Sequence, residues 1–299
     1  MSIEIKNLSF IHSQEGESFG IKDFNLVIED GDFIGVVGPT GAGKTTFITH
    51  LNGLSSATSG EILVDGKNIY DKDYDLKSLR FKVGLGFQYS ENQLFEETVL
   101  SDVKFGAINK LEYLDEVNNK DARKNKKYKE EIETKADKIA RDTLSRIGLA
   151  ESYYEKSPFL LSGGEKKKVA IAGILAMEPD YLVLDEPTSS LDIESKYEIF
   201  DILKSENQKG KTIIVVSHDI DMLSKYASKI LYIKDGRQIM YGKIREVFGN
   251  IYNSKNKEDY EILPQTLILC DMLRDKGINI EDIPLSEDEF VKSVLEKYV

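Results

Sequence analysis

One cysteine, Cys270, stands in a chain of 299 residues, so an intramolecular disulfide framework is excluded and a reducing compartment is the natural setting. Long apolar runs are missing too. The most apolar stretch, Val169 to Met177, falls well short of the ~18 residues of a membrane-spanning helix, and Glu178-Pro179-Asp180 follow it. No basic segment leads into an apolar core at the N-terminus, so no secretory leader is expected. Positive charge is in deficit: 40 Lys and Arg face 52 Asp and Glu, a formal net charge of −12. That sign argues against binding nucleic acid through net field and favours solubility; with no span or leader, the chain is expected to be soluble, or bound to a membrane only through a partner. Internal repeats, low-complexity linkers and long heptad runs are absent. What remains is 40% hydrophobic, enough for a core, in a length that fits one large domain or two ordinary ones.

The stretch that organises the chain is Gly35-Val36-Val37-Gly38-Pro39-Thr40-Gly41-Ala42-Gly43-Lys44-Thr45-Thr46. Phe33 to Val37 reads as a short buried strand, and a helix is expected from about Gly43. Gly38, Gly43, Lys44 and Thr45 fit G-x-x-x-x-G-K-[ST], a loop whose backbone N–H groups wrap a polyphosphate. The helix that follows adds its positive end. Gly38, Thr40, Gly41, Gly43, Lys44, Thr45 and Thr46 are the candidate phosphate contacts. Lys44 would reach the β- and γ-phosphates, and the Thr45 hydroxyl would ligate Mg²⁺.

Along the chain, Ile3, Ile5, Leu8 and Phe10, then Phe24, Leu26 and Ile28, alternate as antiparallel strands do. Gly60 to Gly66 is another short strand. Val83-Gly-Leu-Gly-Phe-Gln88 reads as a buried strand ending at Gln88. The middle is helical: Ile132, Ala136, Ile139, Ala140, Leu144 and Ile147 make a stripe that stops at Gly148. This helical region, about 89–178, is expected to be an insertion in an α/β core. Lys120, Arg123, Lys124, Lys126, Lys127 and Lys129 form a basic run best read as a solvated face, with contact to anionic lipid or another subunit as the alternative. Tyr181 to Leu184 and Thr212 to Val216 are apolar enough for parallel strands buried on both faces. A hairpin is expected around Asp235-Gly236. Residues 243–299 read as a small helical domain, with one helix starting at Pro264 and another capped by Ser286 and Glu289.

Leu182-Val-Leu184 delivers Asp185 and Glu186 at a strand end, where ligands sit in open α/β sheets. Asp185 suits Mg²⁺, held through water, and Glu186 suits a general base that orients the attacking water. Thr212 to Ser217 delivers His218, which can hydrogen-bond a γ-phosphate oxygen. Gln88 can ligate Mg²⁺ or the attacking water through its amide oxygen. Leu161-Ser162-Gly163-Gly164-Glu165 opens a helix and forms a second anion nest.

The phosphate loop, Gln88, Leu161 to Glu165, Leu184-Asp-Glu-Pro187, Ser189-Ser-Leu-Asp192 and His218 occur in the order of ATP-binding-cassette ATPases, which the chain resembles over residues 2 to 245. The resemblance implies an α/β P-loop NTPase core with an antiparallel β-subdomain, an inserted helical subdomain and a small C-terminal helical domain. Residues 1–242 would be the ATP-binding cassette, and 243–299 a further domain with a possible part in ATPase dimerisation. It also implies ATP and Mg²⁺, and a head-to-tail dimer with a second, identical or homologous ATPase. In that dimer Ser162, Gly163 and Gly164 bind the partner's nucleotide, and Asp192 lies at the interface. Phe87 to Val99, Ser157-Pro158-Phe159, Val169 to Gly173, Ala176 to Pro179 and Leu263-Pro264 further resemble energy-coupling factor ATPases, the Leu94-to-Val99 wording being like the second of their two types. This implies a transmembrane scaffold protein, exchangeable substrate-binding membrane subunits for vitamins or transition-metal ions, and a peripheral place on the cytoplasmic face of the cell membrane. Another importer class, or a non-transport cassette ATPase, is the alternative.

Four features depart from the family pattern. Glu165 replaces the commoner glutamine, Lys166-Lys-Lys168 replaces a Gln/Arg sequence, and Ser190 replaces a glycine. The aromatic that stacks on adenine aligns with His12 or Phe10. Glu91, Glu96 and Glu97, near Gln88, are candidates to receive arginines of the scaffold.

Overall fold

The computed structural model describes residues 2–14, 17–89, 93–118, 126–278, 280 and 282–298. They form two compact units, Met1–Tyr74 with Thr212–Val299, and Asp75–Lys211. The first unit begins with β1 (Ser2–Gln14) and β2 (Glu17–Glu29), an antiparallel pair with Ile3 opposite Ile28 and Ile5 opposite Leu26. Alternation carries Ile3, Ile5, Leu8, Phe24, Leu26 and Ile28 into the core. Both strands run beyond the segments their alternation marks. The register shifts after Ile5 and again after Leu8, and Asn7 (φ 49°) and Asp23 (φ 57°) take left-handed conformations, so bulges interrupt the two-residue period. Next come β3 (Phe33–Val37), buried throughout, and α1 (Lys44–Leu51). β4 (Ser59–Val64) pairs antiparallel with β1, and β5 (Lys67–Asn68) pairs with β4.

The second unit opens with α2 (Leu76–Lys82), capped by Asp75, whose Oδ1 accepts the Lys77 and Ser78 N–H groups at 3.0 and 3.1 Å. β6 (Val83–Gly86) follows. α3 (Val99–Asn118) packs on α4 (Lys126–Arg146) and on α5 (Gly163–Leu175). Ile132, Ala136, Ala140 and Leu144 of the α4 stripe are buried. β7 (Tyr181–Asp185) pairs in parallel with β6, from Val83 opposite Tyr181 to Gly86 opposite Leu184. The expected strand end at Gln88 is corrected to Gly86. Just past the last pairing, Glu186 turns to φ 49°, the ladder stops, and Phe87 and Gln88 have no strand to pair with. α6 (Ile193–Gln208) is capped by Asp192, which accepts the Ser195 N–H at 2.9 Å.

The chain then returns to the first unit through β8 (Thr212–Val216), α7 (Ile220–Tyr226), β9 (Lys229–Lys234) and β10 (Arg237–Lys243). Strand order in this unit is β5-β4-β1-β2-β10-β9-β3-β8. β3 lies between β8 and β9, parallel to both, which explains why its residues are apolar without alternation. The β9–β10 hairpin turns at Asp235 (φ 50°) and Gly236 (φ 69°), both left-handed as a type I′ turn requires. α8 (Ile244–Ser254), α9 (Gln265–Arg274) and α10 (Glu287–Tyr298) complete the chain. A 3₁₀ segment, Lys257–Ile262, joins α8 to α9 and is tied to β9: Asp259 accepts the Tyr232 hydroxyl at 2.6 Å and the Lys234 ammonium at 2.7 Å. Glu289 accepts the Leu285 N–H and the Arg245 guanidinium at α10, and its own N–H donates to Ser286, so the cap reaches one residue further back than a capping box. Among the described residues, no helix is long and apolar enough to cross a membrane.

Candidate functional site

In the first unit the phosphate loop leaves the end of β3 and enters α1. Two glycines are dictated by space. A Cβ on Gly38 (φ 148°) would lie 1.9 Å from the Ile233 carbonyl oxygen. One on Gly43 (φ 100°) would lie 2.8 Å from Ile21 Cγ2, at the left-handed cap of α1. Lys44 is nearly buried, and its ammonium donates to the carbonyls of Gly38 at 2.7 Å and Pro39 at 2.9 Å. The cationic side chain therefore lies across the mouth of the loop, on acceptors that a phosphate oxygen would replace. Thr40, Gly41 and Thr45 are exposed, and Thr46 is half-buried.

Thr46 is also held from below. Its carbonyl accepts the Thr49 hydroxyl at 2.9 Å and His50 Nδ1 at 2.6 Å. His50 is fully buried with the Phe10 ring edge-on at 5.1 Å; burial lowers its pKa, against the opposing pull of its bond to the Thr46 carbonyl. Sequence reasoning missed His50, whose place on the buried face of α1 is visible only once the helix is packed. Phe10 stacks on exposed His12, with ring centroids 6.4 Å apart and planes 17° apart, so both candidate adenine contacts share one face of β1.

His218 follows β8 and is exposed; Ser217 beside it is buried and accepts the Asp219 N–H at 3.0 Å. Gly38, Pro39, Thr40, Ser217 and His218 line one cavity of about 100 Å³, so the structure brings His218 to the phosphate loop.

In the second unit, Gln88 and the pair Asp185–Glu186 emerge from the same ends of two neighbouring parallel strands. Asp185 is buried, Glu186 half-buried and Gln88 exposed. Ser162 caps α5. Its Oγ accepts the Glu165 N–H at 3.3 Å, and Glu165 Oε2 accepts the Ser162 N–H at 2.8 Å, a complete capping box. Ser162 and Gly163 remain exposed. Ala170 and Ile171 line a crevice with Phe87 and Asp185. Ser162 lies eight residues before Ala170, about 12 Å back along the helix at ~1.5 Å per residue.

The unusual lysines of α5 find partners. Buried Lys167 donates to Ser189 Oγ at 2.9 Å, and Lys168 pairs with Glu198 at 2.6 Å. Asp102, buried under the loop after Gln88, accepts the Phe95 and Glu96 N–H groups, both at 2.9 Å. Glu96 is half-buried and Glu97 exposed. Glu91 lies outside the described residues, as do Lys120, Arg123 and Lys124 of the basic run; Lys126, Lys127 and Lys129 are exposed. The Thr45 hydroxyl in one unit, and the Gln88 amide and Asp185 carboxylate in the other, are oxygen donors of the kind a hard cation such as Mg²⁺ takes.

A family model described as ABC transporter matches residues 21–189. The chain is 40% identical to the energy-coupling factor transporter ATP-binding protein EcfA2 of Clostridium perfringens, over 99% of this chain and 98% of that one. It is 39% identical to the protein of the same name from Clostridioides difficile, over 99% and 97%. Among solved structures it is similar to cbiO1 of Clostridium perfringens, described as part of the ABC transporter complex cbiONQ, with TM-score 0.69, 32% identity, and coverage of 90% of this chain and 98% of that one. It is also similar to the ATP-binding cassette MJ0796, solved as a dimer bound to ADP and Pi, with TM-score 0.65, 28% identity, and coverage of 81% and 99%.

Proposed function

Because the chain belongs to the ABC transporter family, among the ATP-binding proteins of energy-coupling factor transporters, we propose that it binds and hydrolyses ATP to energise uptake through a membrane scaffold. The fold is that of a P-loop NTPase. The observation that carries the narrower reading is the reach of the likeness. It spans 99% of the chain, including residues 243–299, whereas the MJ0796 cassette covers 81%. We take 1–242 as the cassette, about 89–178 as its helical subdomain, and 243–299 as a helical domain suited to ATPase pairing. Exposed Leu269, Met272, Val291 and Leu295 support that last assignment.

In this reading Lys44 leaves the Gly38 and Pro39 carbonyls for the β- and γ-phosphates. Backbone N–H groups from Gly38 to Thr46 hold the same phosphates at the positive end of α1. The Thr45 hydroxyl, the Gln88 amide oxygen and the Asp185 carboxylate would be the ligands for Mg²⁺, which would supply positive charge to offset that of the phosphates. Glu186 orients and deprotonates the attacking water, and His218 steadies the γ-phosphate oxygens. Ser162, Gly163 and Gly164 belong to a second site, on the partner ATPase of a head-to-tail dimer. Closing of that dimer around ATP is the step that does work on the scaffold. His12 or Phe10 meets the adenine. The scaffold and the substrate-binding membrane subunit place the ATPase peripherally on the cytoplasmic face of the membrane.

Recovery of the tagged chain from membranes tests this: one scaffold protein and a second ATPase are expected with it. Recovery with an importer that depends on a soluble binding protein would sink the energy-coupling reading. Reversing Glu96 and Glu97 to lysine is expected to uncouple transport while leaving ATP binding intact; unchanged assembly with the scaffold would remove those residues from the interface.

A further inference from the structure

Lysine is seldom buried without partners, yet Lys167 lies inside the second unit at 4% exposure. Its Nζ donates to Ser189 Oγ at 2.9 Å. Ser189 belongs to the turn that carries Glu186. The Ser189 N–H donates to the Glu186 carbonyl at 3.2 Å, and the Leu191 N–H to the Thr188 carbonyl at 3.3 Å, so two successive turns overlap at Thr188 and Ser189. On either side of Ser189 stand two left-handed non-glycine residues, Glu186 (φ 49°) and Ser190 (φ 63°). Conformations of that kind persist only where the surroundings hold them. One such hold comes from α5. Lys167 stands three and four residues before Ala170 and Ile171, hence on the same helical face, and that face meets Asp185 and Pro187 in the crevice. α5 is itself fixed to α6: Lys168 pairs with Glu198 at 2.6 Å, and a Cβ on Gly164 would come within 3.3 Å of Ser195 Oγ.

We infer that Lys167 is a positioning residue for ATP turnover: anchored in α5, its ammonium holds Ser189 and, through the turn from Glu186 to Ser189, keeps the Glu186 carboxylate aimed at the attacking water. The inference rests on the reading of Glu186 as the base. Lys167 acts through Glu186 alone, so ATP binding at the phosphate loop should not depend on it. A hydrogen bond from a charged group is worth about tenfold in an equilibrium constant or more, and a small displacement of a catalytic group costs rate on that scale or above.

The test uses the full chain with its co-purifying subunits. Glu186→Gln runs beside the other variants and fixes how much turnover depends on this base. Lys167→Met and Ser189→Ala are each expected to lower that share of kcat about 10-fold, with KM for ATP little changed, and Ser189→Thr, which keeps the hydroxyl, to retain most of it. Replacing a buried charge by an apolar side chain is often neutral or stabilising, so Lys167→Met should keep or raise the melting temperature while kcat falls. The double variant Lys167→Met with Ser189→Ala should lose no more than either alone. In the Glu186→Gln chain, adding Lys167→Met should lower residual hydrolysis no further. If Glu186→Gln turns over normally, the base reading fails and the inference with it. If Glu186→Gln is impaired while Lys167→Met is not, the inference alone is overturned. Losses that multiply in the double variant, a further drop in the Glu186→Gln chain, or a melting temperature that falls with kcat in Lys167→Met would give Lys167 a role apart from Ser189 and Glu186 and overturn it as well.

Discussion

Two residues of the candidate site hold backbone conformations that their side chains disfavour. Among the described non-glycine residues at positive φ, Asn7, Asp23, Asp65 and Asp235 are of the types that tolerate it; Glu186 (φ 49°) and Ser190 (φ 63°) are not, nor are Glu178 and Lys255 away from the site. At Ser190 this explains the glycine of the family pattern and leaves the serine in a disfavoured conformation. The left-handed conformation costs a side chain about 1–2 kcal/mol, and glycine returns part of that as extra entropy of the unfolded chain. Ser190→Gly is therefore expected to stabilise the protein by ~0.5–1 kcal/mol, seen as a melting temperature higher by about 2 °C. A lower melting temperature would show that the serine hydroxyl compensates for the strain. At Glu186 a glycine would relieve the strain only by removing the carboxylate proposed as the base. Sequence alone names Glu186 by its place after an apolar strand, but not its φ, which depends on where the β6–β7 ladder ends.

At the scale of elements, α1 carries both chemistry and a buried titratable group. His50 is fully enclosed one turn behind Thr46, and its pKa is lowered by burial. In the unfolded chain it titrates near the ordinary value of about 6.5. Above that pH both states are neutral. As pH falls through about 6.5 the unfolded chain takes up a proton that the folded one resists, so stability present at neutral pH is lost toward the lower folded pKa. Melting temperature is expected to fall between pH 7.5 and 5.5, and His50→Phe, which keeps an aromatic against Phe10, should flatten that slope. Carboxyls held low, such as Asp192 and Asp259, work the other way along the scale: their stability is present above about 4 and lost below it, outside this window. An equal slope in His50→Phe would clear His50 as the cause. The strands and helices that made this packing were largely legible, because β3, β7 and β8 are apolar without alternation and α4 has its stripe. Bulges in β1 and the early end of β6 were not, since both depend on the partner strand. Nor was the fit of Lys167 to Ser189, which joins residues far apart in sequence.

At the scale of the molecule, the groups proposed for hydrolysis fall in both units. One unit carries Lys44 and His218, the other Asp185, Glu186 and the Ser162 turn. The order of motifs in the sequence discloses the parts but not which unit each one folds into, which is a matter of packing. Ser162 is exposed in the single chain, and in the proposed dimer it would face the nucleotide of a second ATPase. Removing the base without removing the binding groups should expose that pairing. Glu186→Gln keeps the shape of the side chain and loses the proton acceptor, so ATP is expected to bind, turnover to fall by at least 100-fold, and the closed pair to persist. By size-exclusion chromatography, with the co-purifying second ATPase present, this variant should run as a pair in ATP and separate without it. Lys44→Ala on both ATPases, at the equivalent lysine, should never pair, because the phosphates have lost their cradle. Adding Ser162→Arg to the Glu186→Gln chain should break pairing even though nucleotide binding survives, because the bulk enters the partner's site. Pairing that persists through Ser162→Arg would place the contact elsewhere, on residues 243–299, and make the C-terminal domain the seat of dimerisation independent of nucleotide.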